Sequence, residues 1–132
     1  MMPREDRWKA LGDASDAMTD AWIDVTREFR PENRFRLEAA ARTFVTCLAQ
    51  VVGTEPAFQY ETAFRRVLDA LDREARFAAT LAGESPIDEG DAARLRWLQT
   101  ETNRARTTYD AIVIETSKRL DEAEAADKEP GG

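Results

Sequence analysis

The sequence predicts an all-α protein, an antiparallel (up-down-up-down) four-helix bundle with a long C-terminal helix. Three observations lead there. Apolar residues recur at alternating spacings of three and four in four successive segments, which is the signature of one helical face. Proline or glycine punctuates those segments at Pro31, Gly53 and Gly83, where helices characteristically begin or end. The expected connections are two to four residues long, and short loops force neighbouring helices to run antiparallel.

The first segment covers about residues 4–29 and sets Trp8, Leu11, Ser15, Met18, Trp22, Val25 and Phe29 on one stripe, with Ser15 a polar gap. Gly12 is a candidate break, after which Asp13 would cap a second piece. Arg30-Pro31 closes the segment, because a residue before proline avoids the α region. The second helix, about 32–52, repeats the pattern with Leu37, Ala41, Phe44, Leu48 and Val51, and Gly53 stops it. Thr54 is the expected cap of the third, with Pro56 tolerated in the first turn. Its stripe is Tyr60, Phe64, Val67, Leu71, Ala78 and Leu81, ending at Gly83.

Ser85-Pro86-Ile87-Asp88 reads as a helix start with Ser as cap and Pro at the first position; Gly90-Asp91 offers a later one. The fourth helix carries Leu95, Leu98, Thr102, Ala105, Tyr109, Ile112 and Leu120 and extends to about residue 126. Residues 1–126 are thus expected as one bundle domain, and 127–132 as a disordered acidic tail. At ~1.5 Å per residue the third helix is about 42 Å long and the fourth about 60 Å, so the fourth should overhang the bundle or bend near Gly90.

Composition narrows the class. The 132 residues are 42% hydrophobic and 34% charged, a globular mix of single-domain size. No run approaches the ~20 apolar residues of a membrane span, and the first residues lack the apolar core of a signal peptide; the expected location is the cytoplasm. Arginine far outnumbers lysine and alanine is abundant, the coding bias of GC-rich, bacterial genomes. The single Cys47 has no partner for an internal disulfide. Net charge is −7, and residues 121–129 hold −4 of it, five acids against one lysine. The remainder is close to balance, which disfavours both a nucleic-acid mimic and a broad basic nucleic-acid face.

The chain contains no histidine. That removes the commonest general base, the Ser-His and Cys-His pairs and the imidazole ligands of most zinc and iron sites. A ferritin-like di-iron centre, which needs Glu-x-x-His on two helices, fails for the same reason. No Gly-rich phosphate loop is present. The expectation is a non-enzyme with no catalytic residue, no cofactor and no metal; carboxylate-only Mg²⁺ or Ca²⁺ chemistry is the residual enzymatic alternative.

Three surface features are candidate sites. Asp13, Asp16, Asp20 and Asp24 line one face of the first helix, and no basic residue occurs from residue 10 to 26; this is a solvated face or a strip for a basic partner or a cation. Arg27, Arg30, Arg34 and Arg36 flank the first turn, where bundle topology should set them against Glu84, Asp88, Glu89 and Asp91. The pairing would neutralise one end of the bundle; unpaired, the arginines would offer a phosphate or RNA contact. Residues 43–54 carry no charge. Phe44, Val45, Leu48 and Val52, with Phe58 on the third helix and Ile112, Val113 and Ile114 on the fourth, cover more than one stripe and are a candidate partner interface.

Residues 29–35, Phe-Arg-Pro-Glu-Asn-Arg-Phe, resemble the first helix junction of small four-helix proteins of the ribosomal intervening-sequence and retroelement-accessory type. The resemblance spans seven residues, and those accessory proteins are generally basic where this chain is acidic. The functional expectation is therefore a helical protein–protein interaction module (adaptor, accessory subunit or inhibitor-type binder) that self-associates as a two-fold homodimer or binds another protein. A nucleic-acid-associated bundle using the arginine cluster is the alternative.

Overall fold

The computed structural model describes residues 3–128 and shows the four-helix bundle: α1 (Arg4–Arg27), α2 (Pro31–Val52), α3 (Thr54–Thr80) and α4 (Glu89–Lys128). Each helix presents its apolar stripe to a common core. Leu11, Ala14, Met18 and Val25 come from α1, Leu37, Ala41, Phe44 and Leu48 from α2, and Ala57, Tyr60, Phe64 and Leu68 from α3. Leu37, Leu48, Leu68 and Val67 have essentially no exposed surface. At ~25 cal/mol per Å² such side chains contribute about 1.5–3 kcal/mol each. Among the described residues no helix is long and apolar enough to cross a membrane.

The junctions differ from expectation in instructive ways. Between α2 and α3 the link is Gly53 alone, at φ 98°, a left-handed value that side chains resist. Its N–H donates to the Ala49 carbonyl and its carbonyl accepts from Ala57 N–H. Gly53, not Thr54, therefore caps α3, and Thr54 makes no capping bond. At the first turn the Asn33 amide donates to the carbonyls of Glu28 (2.9 Å) and Asp24 (3.4 Å), satisfying the end of α1 from within α2. The last link is eight residues, 81–88, longer than expected, and α4 starts at neither Ser85 nor Asp91. Asp88 caps it, accepting from Gly90 N–H through its carboxylate (2.9 Å) and from Ala92 N–H through its carbonyl.

Neither Gly12 nor Gly90 interrupts its helix. The fourth helix continues two residues past the expected boundary, to Lys128; residues 129–132 of the expected tail lie outside the described residues. At 40 residues α4 is about 60 Å long. It packs along α3, also touches its diagonal neighbour α2, and ends on the start of α1, where Trp8 Nε1 donates to the Asp127 carboxylate (2.8 Å) and the Arg4 guanidinium to the Asp127 carbonyl. α4 thus lies closest to α3 and α2 and meets the start of α1 through side chains.

Candidate functional site: an open seam between α1 and α4

One pair of neighbouring helices lacks close backbone contact. The pairs α1–α2, α2–α3 and α3–α4 pack closely, whereas the Cα atoms of α1 and α4 nowhere come within 8 Å of one another. Between them lies a cleft of about 480 Å³ with Ser15, Met18, Thr19, Trp22 and Thr26 on the α1 side and Arg106, Tyr109 and Asp110 on the α4 side. Phe44, Tyr60, Phe64 and Val67 form its floor. A second hollow of about 390 Å³ continues it past Thr26 and Arg106, which border both, towards Val25, Phe29, Leu95 and Gln99. The lined stretch of α4, from Leu95 to Tyr109, is about 21 Å long.

The floor is a contiguous aromatic cluster. Phe44 and Tyr60 ring centroids lie 5.1 Å apart, Tyr60 and Tyr109 5.5 Å, Phe64 and Tyr109 6.0 Å, Trp22 and Phe64 6.1 Å, within the range of favourable tilted contacts. The Tyr60 and Tyr109 hydroxyls are 2.6 Å apart, and Tyr60 Oη lies 3.7 Å from Met18 Sδ. A thioether only accepts, so the set is satisfied when Tyr109 donates to Tyr60 and Tyr60 donates to Met18. The Tyr109 oxygen then keeps its acceptor capacity on the cleft side. Burial pushes the Tyr60 hydroxyl well above its ordinary range, with Tyr109 adding to the shift. Burial also raises Tyr109; its hydrogen bond with Tyr60 opposes that shift and Asp110 adds to it. Both are neutral phenols at physiological pH.

The other candidate residues fall as follows. Of the proposed interface, Phe44 and Leu48 are buried in the core, and Val45, Val52, Ile112 and Val113 pack half-buried against it. The four half-buried side chains keep part of their surface in solvent. Phe58 and Ile114 are exposed, at 63% and 59%. Asp13, Asp16 and Asp20 are exposed and Asp24 half-buried. Among the described residues no group of three or more acids or cysteines gathers as a metal shell.

The expected pairing of the arginine cluster with Glu84, Asp88, Glu89 or Asp91 does not form among the described residues. Arg34 instead meets Glu38 (3.0 Å), Asp72 (2.9 Å) and Asp69 (3.5 Å). Arg30 pairs with Glu28 (2.5 Å), and Arg36 lies 3.9 Å from Asp24. The cause is length: α3, at 27 residues, outruns the 22 of α2, so the acids level with Arg34 are on α3 and the loop beyond passes the cluster by. Arg27 makes no ion pair among the described residues.

The cleft itself was not read from the sequence. Its signal was the polar gap at Ser15 with Thr19 and Thr26 beside it, small uncharged residues on the flank of an otherwise bulky stripe. The chain matches no family model, no curated protein and no solved structure.

Proposed function

We propose that this chain is a non-enzymatic helical interaction module whose α1–α4 seam receives a protein partner. One observation carries the reading. Half-buried Trp22 and Tyr109 border a cleft between α1 and α4 whose floor is the buried rings of Phe44, Tyr60 and Phe64. Grooves of this shape are filled by amphipathic helices with anchors at i, i+3, i+4 and i+7. The arginine cluster supports a nucleic-acid role poorly, since Arg30, Arg34 and Arg36 already face carboxylates of the same chain.

The test is comparative affinity purification with the wild type and with Ser15→Trp, which fills the cleft from an exposed position. A partner held by the wild type and lost from the folded variant supports the reading. A partner held equally by both moves the contact elsewhere.

Self-association is the second reading, favoured by exposed Phe58 and Ile114. Sedimentation over a wide concentration range tests it: an Ile114→Glu variant that is folded and monomeric beside a dimeric wild type would identify a second copy as the partner.

A further inference from the structure

The polar side chains that line the cleft are mostly acceptors. On the α1 wall the Thr19 hydroxyl gives its hydrogen to the Ser15 carbonyl (3.0 Å), and the Thr26 hydroxyl gives its own to the Ile23 carbonyl (2.8 Å). Each oxygen is left with lone pairs only. On the α4 wall the Tyr109 hydroxyl, committed to Tyr60 at 2.6 Å, keeps acceptor capacity. The exposed Asp110 carboxylate makes no ion pair among the described residues. Ser15 can turn either way. Arg106 is the donor-only side chain of this lining. It stands where the first cleft meets the second, is exposed to screening solvent, and does not pair with Asp110 one turn along its own helix.

Between those walls lie three rings. Trp22 from α1 and Tyr109 from α4 flank Phe64, at 6.1 and 6.0 Å between centroids and tilted to it by 53° and 56°. Phe64 is buried, while Trp22 and Tyr109 keep part of their surface open. Aromatic faces carry the negative side of the ring quadrupole and attract a cation placed within about 6 Å of the centroid.

Lone pairs, ring faces and an unpaired carboxylate around one hollow call for a group that is planar, cationic and rich in N–H donors. We infer that the partner's anchor in the seam is an arginine, its guanidinium lying between Trp22 and Tyr109 over Phe64 and donating to Asp110. The inference rests on the seam being the partner site. A guanidinium presents its donors in a rigid fork and stacks on aromatic faces, and its aliphatic stem packs along the apolar floor. An ammonium is a compact, strongly hydrated point charge that does not stack. A leucine or phenylalanine would strip water from Asp110 and the hydroxyl oxygens and return no hydrogen bond.

The test is an NMR titration of the Trp22 Nε1–H resonance, assigned with Trp22→Phe, at constant ionic strength. The probes are the N-acetyl methylamides of arginine, of lysine, and of citrulline, which has arginine's shape without its charge. The expected result is a saturable shift with the arginine compound, at an affinity about five-fold or more above that of citrulline. Asp110→Asn should weaken arginine binding about three-fold, and Arg106→Met should strengthen it about two-fold, the scale of exposed charges acting with opposite sign. Equal binding of citrulline overturns a cationic anchor. Equal binding of the lysine compound overturns the choice of arginine. No shift with any of the three overturns the inference as a whole. The seam as partner site stands or falls separately, by the purification with Ser15→Trp.

Discussion

The α2–α3 seam and the α1–α4 seam are built from the same materials and end differently. Both have an apolar stripe on each helix, and both have an arginine at the edge. Across α2–α3 the backbones pack closely and the core stripe is covered: Leu37, Leu48 and Leu68 have essentially no exposed surface, and Arg34, between two surface hollows on that flank, meets three carboxylates. Across α1–α4 the stripe is open, and Arg106 stands at its edge without an ion pair. The difference is in the covalent chain. Gly53 folds α2 onto α3 within one residue, so their stripes must meet. No turn joins α1 directly to α4, and among the described residues the hydrogen bonds between them are those of Arg4 and Trp8 with Asp127. An apolar stripe shows what a helix would bury, and connectivity decides against what.

The largest expected effects bear on that contrast. Leu68→Ala should cost about 2–5 kcal/mol in denaturant unfolding, as deletions in sealed cores do. Trp22→Ala removes a larger side chain from the open seam, yet should cost less, under about 2 kcal/mol, because Trp22 is already half-exposed and no sealed cavity remains behind it. Equal losses would mean that the seam is closed in solution.

The flanking arginines come next. Arg34→Met should lose about 1–2 kcal/mol, since it leaves half-buried Asp72 and Glu38 without their cation. Arg106→Met should change stability by less than about 0.5 kcal/mol. A comparable loss at Arg106 would show that it is paired after all.

The phenols sharpen the comparison through pH. The chain has two tyrosines, and the native state raises both. A raised phenol contributes stability that is intact below the ordinary tyrosine value of about 10. As pH rises past that value the unfolded chain ionises first and the contribution is lost. Tyrosinate absorbance should therefore appear together with loss of helical circular dichroism. Tyrosinate forming in a still-helical protein at pH near 10 would show that water reaches the hydroxyls freely through the seam. Tyr60→Phe should cost only about 0.5–1.5 kcal/mol, because Tyr109 keeps access to solvent for a replacement partner.

The sequence by itself determined the helices and their stripes. Heptad spacing, Pro31 and Gly53 are local signals, and they placed four helices, their antiparallel order and the inward side chains Leu37, Phe44, Leu48, Phe64 and Val67. It also showed the lack of histidine, which removes imidazole chemistry whatever the fold. Ends set by competition between neighbouring groups were read less well. Thr54 and Ser85 are good caps in isolation, but Gly53's carbonyl and Asp88's carboxylate hold those places. Only the tertiary structure decided which stripes meet. Val45, Val52, Ile112 and Val113 read as surplus to one bundle, yet each packs half-buried against its core. Trp22 and Tyr109 read as ordinary core, yet both are only half-buried, beside a buried Phe64. Where a 40-residue helix lies depends on the sum of contacts along its whole length with the other helices, and no local window of sequence contains that sum.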